Sequence, residues 1–253
     1  MDPPHSIIVC ANGTWCGKVA GTVTNVQILA NSFAGTVVQS GVAAHNAITN
    51  TTVCFFDGVG LTGTFSEYLV DGALALDIEN RCVDAYLSIV QHYNPGSRIS
   101  VFGHSRGAYT VRCVAGMIHK CGILRRDIVN VADLRTMCSE VYAIYRSTDP
   151  SYSPDFFHQF KAAKSHVTEV PPIRFMGLLD TVGALGVPQV NPGVSLSYEF
   201  QDQDVSCEVQ TVCQALATHD RMSLFTPCFI RRNEEAPNPY QGTNFETEEV
   251  WFP

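Results

Sequence analysis

The chain of 253 residues has 16 basic and 24 acidic side chains, and its net charge of −8 argues against a nucleic-acid-binding surface. Hydrophobic residues make up 45% of the chain and charged residues 16%, which excludes a disordered protein and indicates a sizeable buried core. No apolar stretch reaches the roughly 18 residues of a transmembrane helix, and residues 1–5 lack the basic start and apolar core of a signal peptide. We therefore expect a single domain over residues 6–253, located in the cytoplasm.

Short apolar runs that end in turn residues predict five strands, at residues 6–10, 52–56, 98–102, 173–179 and 248–252. Helical spacing of apolar residues predicts helices at 24–33, 74–93, 106–121 and 127–146, from 153 onward, and at 207–218. Strands separated by helices indicate an α/β fold, a three-layer sandwich whose doubly wound, mainly parallel sheet has the order 2-1-3-4-5. This order brings the loop after the first strand next to the loop after the third.

The ten cysteines do not have the spacing of a metal site. No C-x-x-C occurs, and the closest pairs, Cys10 with Cys16 and Cys207 with Cys213, are six residues apart. We therefore expect no metal, and no other cofactor is implied. Four cysteines are expected to be reduced, buried side chains of amphipathic helices: Cys82, Cys113, Cys121 and Cys213.

Residues 98–109, RISVFGHSRGAY, place a G-x-S-x-G motif between a β-branched run and a helical pattern. This strand–turn–helix setting predicts a nucleophile elbow made of Gly103, His104, Ser105 and Gly107. The glycines permit a turn so tight that the serine hydroxyl stands clear at the carboxyl end of its strand. The alternative interpretation is a glycine-rich turn without chemistry.

A serine nucleophile needs a base to accept its proton and an acid to orient that base. Asp180, at the end of the fourth predicted strand, is the candidate acid, and a turn-capping aspartate is the alternative. The oxyanion hole is expected to combine the backbone N–H of Arg106 with that of Gly13 or Thr14. Arg106 could also hold an anionic group, although a structural salt bridge is the simpler role for its side chain.

The general base is the missing part of this site. His219 is the only histidine beyond Asp180 and is kept as a tentative base, whereas His104 adjoins the nucleophile and is expected to point elsewhere. On this architecture the base normally follows the last strand, and here that strand is followed only by Pro253. We therefore expect a C-terminally incomplete α/β-hydrolase-like fold.

These motifs resemble an uncharacterised α/β-hydrolase domain family of fungi and bacteria, related to the catalytic domain of type VI secretion phospholipase effectors. The resemblance implies an esterase or lipase with Ser105 as nucleophile and Asp180 as acid. It extends from about residue 7 to residue 253. The matching segments are 12–15, 24–26, 57–60, 85–86, 93–96, 102–109, 177–186 and 251–253.

The chain departs from the family pattern at three places. Asn12 replaces the aspartate of D-G-T, the G-x-H segment that follows W-F-P in the family has no counterpart, and QALATHDR replaces H-A-L-x-x-D-E-R at 214–221. The first hypothesis is therefore a serine hydrolase scaffold for small-molecule or lipid esters, including phospholipids. The alternatives are an inactive relative that binds a ligand or partner, and a truncated product of an active hydrolase.

Overall fold

The computed structural model describes residues 4–13, 23–58, 73–128, 133–181, 204–218, 228–233 and 238–253. The described strands are β1 (Ser6–Ala11), β2 (Ala43–Asn46), β3 (Thr51–Phe56), β4 (Arg98–His104), β5 (Ile173–Leu179), β6 (Val209–Ala217) and β7 (Glu246–Phe252). The described α-helices are α1 (Asn25–Ala34), α2 (Ala73–His92), α3 (Arg106–Cys121), α4 (Leu134–Arg146) and α5 (Pro154–Lys164). A short 3₁₀ turn covers Arg126–Ile128.

The described strands form one sheet in the order β2-β3-β1-β4-β5-β6-β7. Every neighbouring pair is parallel except β2 with β3, which is antiparallel. The five strands predicted from the sequence keep their predicted relative order, so the doubly wound α/β-hydrolase-like sandwich is confirmed. Two strands were not predicted: β2 extends one edge, and β6 lies between β5 and β7.

The helix predicted over 207–218 was wrong, because this segment forms strand β6. Its apolar residues at 209, 212, 213 and 216 have helical spacing, which is why the sequence pattern favoured a helix. Pairing with β5 on one side and β7 on the other outweighs that pattern, since each partner supplies a complete hydrogen-bonding edge. Cys213 accordingly lies half-buried on a strand and not within a helix.

Helices cover both faces of the sheet. The larger core lies between one face and α2, α3 and α4, with Tyr86, Met117 and Val141 buried at its centre. A second core forms where Val26 and Ala30 of α1 pack on β1 and β3. None of the helices that the structure describes combines the length and apolar character needed to cross a lipid bilayer.

Strand β7 is exposed along its whole length. Trp251 is 48% exposed and Phe252 52% exposed, although both belong to a strand paired with the buried β6. A cleft therefore opens on the α1 face, between α1 and the β5–β7 half of the sheet. At the carboxyl ends of the strands this cleft reaches His104 and Asp180, next to the predicted nucleophile.

Candidate active site

Ser105 occupies a sharp turn between β4 and α3. Its backbone has φ 53° and ψ −119°, which lies outside the regions that a non-glycine residue ordinarily adopts. The strain is held by hydrogen bonds on both sides: the Ser105 N–H donates to Leu179 O at 2.9 Å, and Ser105 O accepts from Tyr109 N at 3.2 Å. The half-buried side chain makes no capping bond to α3. Strained backbone of this kind is concentrated at functional sites.

The two flanking glycines are required by close backbone packing. A Cβ on Gly103 would lie 2.5 Å from Ala108 Cα, in the first turn of α3. A Cβ on Gly107 would lie 2.1 Å from Ala11 O, at the end of β1. Both contacts are with backbone, which cannot rotate away, so the tight turn depends on glycine at both positions.

The loop after β1 lies against this turn, as the predicted strand order requires. A Cβ on Gly13 would lie 3.0 Å from Ser105 Cβ and 2.6 Å from His104 Nδ1. Arg106 is the first residue of α3, so its backbone N–H belongs to the positive end of the helix dipole. Gly13 and Arg106 thus approach Ser105 from two different elements. Thr14, the other predicted oxyanion donor, lies outside the described residues.

Asp180 follows β5 and stands at the same edge of the sheet as Ser105. Residues His104 and Leu179 are paired in register, so the chain positions that follow them lie at the ends of adjacent parallel strands. Asp180 has φ 47° and its N–H donates to Ala215 O at 2.7 Å. Its Oδ1 accepts a long hydrogen bond of 3.4 Å from Ala217 N. The carboxylate therefore lies between the ends of β5 and β6, where it could orient a base or cap the turn.

His104 is half-buried beside Asp180. Burial lowers the pKa of His104, and the nearby Asp180 carboxylate offsets this only in part. The imidazole is therefore neutral at pH 7. His104 points to the α1 face, next to Gly13.

His219, the tentative base, lies outside the described residues. The described chain before it ends with Thr218, whose N–H donates to Phe252 O at 2.8 Å. Because residues 209–217 are a parallel strand, Thr218 is at the same edge of the sheet as Ser105 and Asp180. The sequence analysis missed the proximity of residue 218 to Ser105 and Asp180 because it predicted a helix at 207–218.

A cavity of about 420 Å³ adjoins His104 and Asp180. Apart from these two groups and the amino end of α1, its walls are mainly apolar. The apolar wall residues are Val26, Leu179, Ala215, Leu216, Ala217, Phe252 and Pro253. A neighbouring cavity of about 320 Å³ shares part of this wall and continues toward Leu29 and Phe102. Sequence reasoning missed these walls, because they form only once β6 lies between β5 and β7.

Asn12, which stands where the family has an aspartate, links β1 to α1. The Thr24 hydroxyl donates to Asn12 Oδ1 at 2.6 Å and accepts from Gln27 N at 3.1 Å, which caps α1. Asn12 is 4% exposed, and its Nδ2 makes no hydrogen bond to any residue that the structure describes. The amide therefore makes one structural contact, to Thr24, and carries no charge.

Gln214 stands where the family motif H-A-L-x-x-D-E-R has its histidine. It is buried in β6 and hydrogen-bonds the Thr181 hydroxyl, the Glu249 carboxylate and the carbonyl of Cys228. These bonds occupy both ends of the amide. The substitution therefore supplies a structural link among β5, β6 and β7 in place of an ionisable group.

One curated protein and two solved structures are similar to this chain, and the chain covers less than half of the first two. An uncharacterised protein of Saccharomyces cerevisiae (strain ATCC 204508 / S288c) is 27% identical over 197 residues, which is 72% of this chain and 27% of the yeast protein. The chain thus spans about a quarter of that relative. An uncharacterised protein from Pseudomonas aeruginosa superposes with a TM-score of 0.41 at 13% identity, covering 99% of this chain and 40% of the other.

A second solved structure, a cell surface hydrolase candidate from Lactobacillus plantarum WCFS1, has a TM-score of 0.41 at 8% identity and covers 100% of this chain and 83% of the other. The family model described as "T6SS, Phospholipase effector Tle1-like, catalytic domain" matches residues 5–253. This match confirms the resemblance inferred from the motifs. The chain belongs to the family of Tle1-like phospholipase effector catalytic domains.

Proposed function

We propose that the protein is a serine hydrolase that cleaves carboxylic esters of lipids, with Ser105 as the nucleophile and Asp180 as the acid. The family supplies the hydrolase scaffold. The observation that carries the specific proposal is the strained backbone of Ser105 at a strand end beside the strand that leads to Asp180. Strained non-glycine backbone is concentrated at functional sites, which favours a catalytic serine over a turn without chemistry.

The proposed reaction proceeds through an acyl-enzyme. Ser105 Oγ attacks the ester carbonyl while its proton passes to a histidine, and the resulting oxyanion accepts hydrogen bonds from the backbone N–H groups of Arg106 and Gly13, or of Thr14. The histidine returns the proton to the departing alcohol. Water, deprotonated by the same histidine, then cleaves the acyl-enzyme and restores Ser105.

The general base in this proposal is a histidine that reaches both Ser105 and Asp180. Within this chain the candidate is His219, because it follows β6, and the end of β6 already contacts Asp180 through the Ala217 N–H. His104 is held in the strand register and lies against Gly13. We therefore assign His104 to the cavity wall and not to the role of general base.

We infer the substrate class from the walls of the 420 Å³ cavity, which reaches Asp180 and His104, the residue before Ser105. One side carries His104 and Asp180 and the rest is largely apolar, so an ester with a hydrocarbon chain could bury that chain while its carbonyl stays near the polar groups. A phospholipid fits this description and agrees with the family description. We propose that the protein acts on lipid or small-molecule esters in the cytoplasm. Its net charge of −8 argues against a nucleic-acid partner.

A second candidate function is ligand binding without catalysis. The specific observation in its favour is Gln214, whose amide is fully engaged where the family motif has a histidine. If no histidine of this chain serves as the base, the triad lacks one member, and such a loss lowers turnover by about 10⁴-fold or more. An inactive relative would keep the cavity and the fold.

The experiment that separates the two functions measures fluorophosphonate labelling and hydrolysis of medium-chain p-nitrophenyl esters by the purified chain. Wild-type protein should label and hydrolyse, Ser105→Ala should do neither, and Ser100→Ala, from the same strand, should match wild type. If the wild type labels no faster than Ser105→Ala, the hydrolase proposal is wrong and the binding function replaces it. Substituting His219 by alanine should abolish hydrolysis if it is the base; unchanged activity would reject that residue.

A further inference from the structure

A second cluster of chemically active side chains lies at the amino ends of the parallel strands, whereas Ser105 lies at their carboxyl ends. His119 is in the last turn of α3, and Cys207 and Glu208 immediately precede β6. An imidazole nitrogen, the thiol sulfur and a carboxylate oxygen of these three residues all lie within 4.8 Å of one another. Helix α3 begins at the Ser105 edge and runs across the sheet, so its last turn lies near the amino ends of the parallel strands.

Polar atoms without partners are concentrated around this cluster. Four buried side-chain polar atoms make no hydrogen bond within the described part of the chain, and three of them belong to His119 (Nδ1), Ser206 (Oγ) and Arg232 (Nη2). Ser206 adjoins Cys207, and Arg232 donates its Nη1 to Ser206 O at 3.3 Å. Of these three atoms only His119 Nδ1 can bind a metal, because the Arg232 guanidinium is a hydrogen-bond donor; a buried imidazole nitrogen without a hydrogen bond is uncommon and is available to a ligand.

We propose that His119, Cys207 and Glu208 form a binding site for Zn²⁺. An imidazole, a thiolate and a carboxylate are all zinc ligands, and a thiolate with an imidazole favours this ion over Mg²⁺ or Ca²⁺. Zinc bond lengths of about 2.0 to 2.3 Å put tetrahedral donor atoms about 3.4 Å apart, so the cluster must contract by no more than about 1.4 Å. Water would supply the fourth ligand, as in zinc sites with three protein ligands.

The neighbours of Glu208 fit such a site. Its side chain is 6% exposed, and the Tyr240 hydroxyl donates to Glu208 Oε2, while Oε1 lies 3.8 Å from His119 Nδ1. The tyrosine thus fixes the carboxylate through the oxygen that does not face the histidine, which is the usual role of a hydrogen-bonding partner behind a metal ligand. Thr168 in turn hydrogen-bonds Tyr240 at 2.9 Å.

Two positive charges face the carboxylate in the absence of metal, and the Arg232 guanidinium is a third cation, close to Cys207. Lys161 Nζ lies 3.6 Å from Glu208 Oε1. Cys207 and Glu208 together raise the pKa of His119 to about 9, so the imidazole carries a proton at pH 7. Zinc binding would release the His119 proton, and the half-exposed lysine side chain can turn toward water. A purely structural ion-pair network is the competing interpretation, and it predicts no zinc binding.

The test is isothermal titration of the EDTA-treated full chain with Zn²⁺. Wild-type protein should bind a single tight equivalent, and Cys207→Ser or His119→Gln should weaken binding by about 100-fold or more. Cys213→Ser and His158→Gln, which alter a cysteine and a histidine outside the cluster, should bind as wild type does. Lys161→Met should bind more tightly, because it removes a competing cation.

Cobalt substitution of the wild-type protein tests the same site without depending on a folded variant. Co²⁺ bound through Cys207 should give a thiolate-to-metal charge-transfer band in the near ultraviolet, retained in Cys213→Ser. Absence of zinc binding by wild type, equal binding by wild type and both ligand variants, or a cobalt complex without that band would each overturn the proposal.

Discussion

Replacing Gly107 by alanine should destabilise the fold strongly, because the added methyl group meets backbone. Its Cβ would lie 2.1 Å from Ala11 O, 2.5 Å from Ala11 C and 2.6 Å from Asn12 O, where an ordinary contact is at least 3.4 Å. The end of β1 must therefore move by more than about 1 Å or α3 must tilt away. Overpacking costs about 1–3 kcal/mol, and rigid backbone on the receiving side puts this case near 3 kcal/mol.

Chemical denaturation of Gly107→Ala measures that cost directly. For a domain of this size, 3 kcal/mol corresponds to a fall in Tm of about 9 °C. Gly242→Ala is the matched control: nothing lies within 4 Å of its Cβ, but its φ of +78° should still cost about 1 kcal/mol. If Gly107→Ala were no less stable than Gly242→Ala, the close approach of β1 to the elbow would be refuted.

Two further predictions concern the site and the distal cluster. Gly13→Ala places a methyl group 2.6 Å from His104 Nδ1 and should displace an oxyanion donor, lowering kcat for ester hydrolysis about 100-fold with little change in KM; an unchanged kcat would exclude this loop from the oxyanion hole. The pKa of His119 is raised to about 9 in the folded chain, from 6.5. Its stabilising contribution is therefore complete below pH 6.5 and lost as the pH rises through 9. Solvent screening limits it to about 1 kcal/mol. Denaturation of the metal-free protein between pH 6.5 and 9 should show a falling free energy of unfolding, and this pH dependence should be absent in His119→Gln. Identical pH profiles for the two proteins would contradict the raised pKa of His119.

The elbow could be predicted from the sequence because its signals are local. Gly103 and Gly107 flank Ser105 within five residues, and the β-branched run before them and the helical pattern after them are continuous with the motif. The relative order of the five predicted strands could be predicted because strands and helices alternate along the chain. The position of Asp180 could be predicted for the same reason, because it is a turn residue directly after an apolar strand.

Strand β6 could not be predicted because its stability is non-local. The spacing of Val209, Val212 and Leu216 is that of a helix, and only pairing with β5 and β7 makes this segment a strand. The cavity wall depends on the same strand. The proximity of His119, Cys207 and Glu208 was also not predicted, because His119 and Cys207 are 88 positions apart in sequence and share no motif spacing.

Asn12 and Gln214 are amides at two positions where the family motifs have ionisable residues. Asn12 accepts a hydrogen bond from Thr24, and Gln214 donates one to Glu249. Each side chain thus takes part in the hydrogen bonds that link neighbouring elements of the fold.

The most direct measurement of the central claim is the rate and position of fluorophosphonate attachment, followed by peptide mass mapping, in wild type and Asp180→Asn. If Ser105 is activated through a histidine that Asp180 orients, the adduct maps to Ser105 and the asparagine variant reacts up to about 10⁴-fold more slowly. An adduct on another serine, or equal rates for the two proteins, would contradict the account.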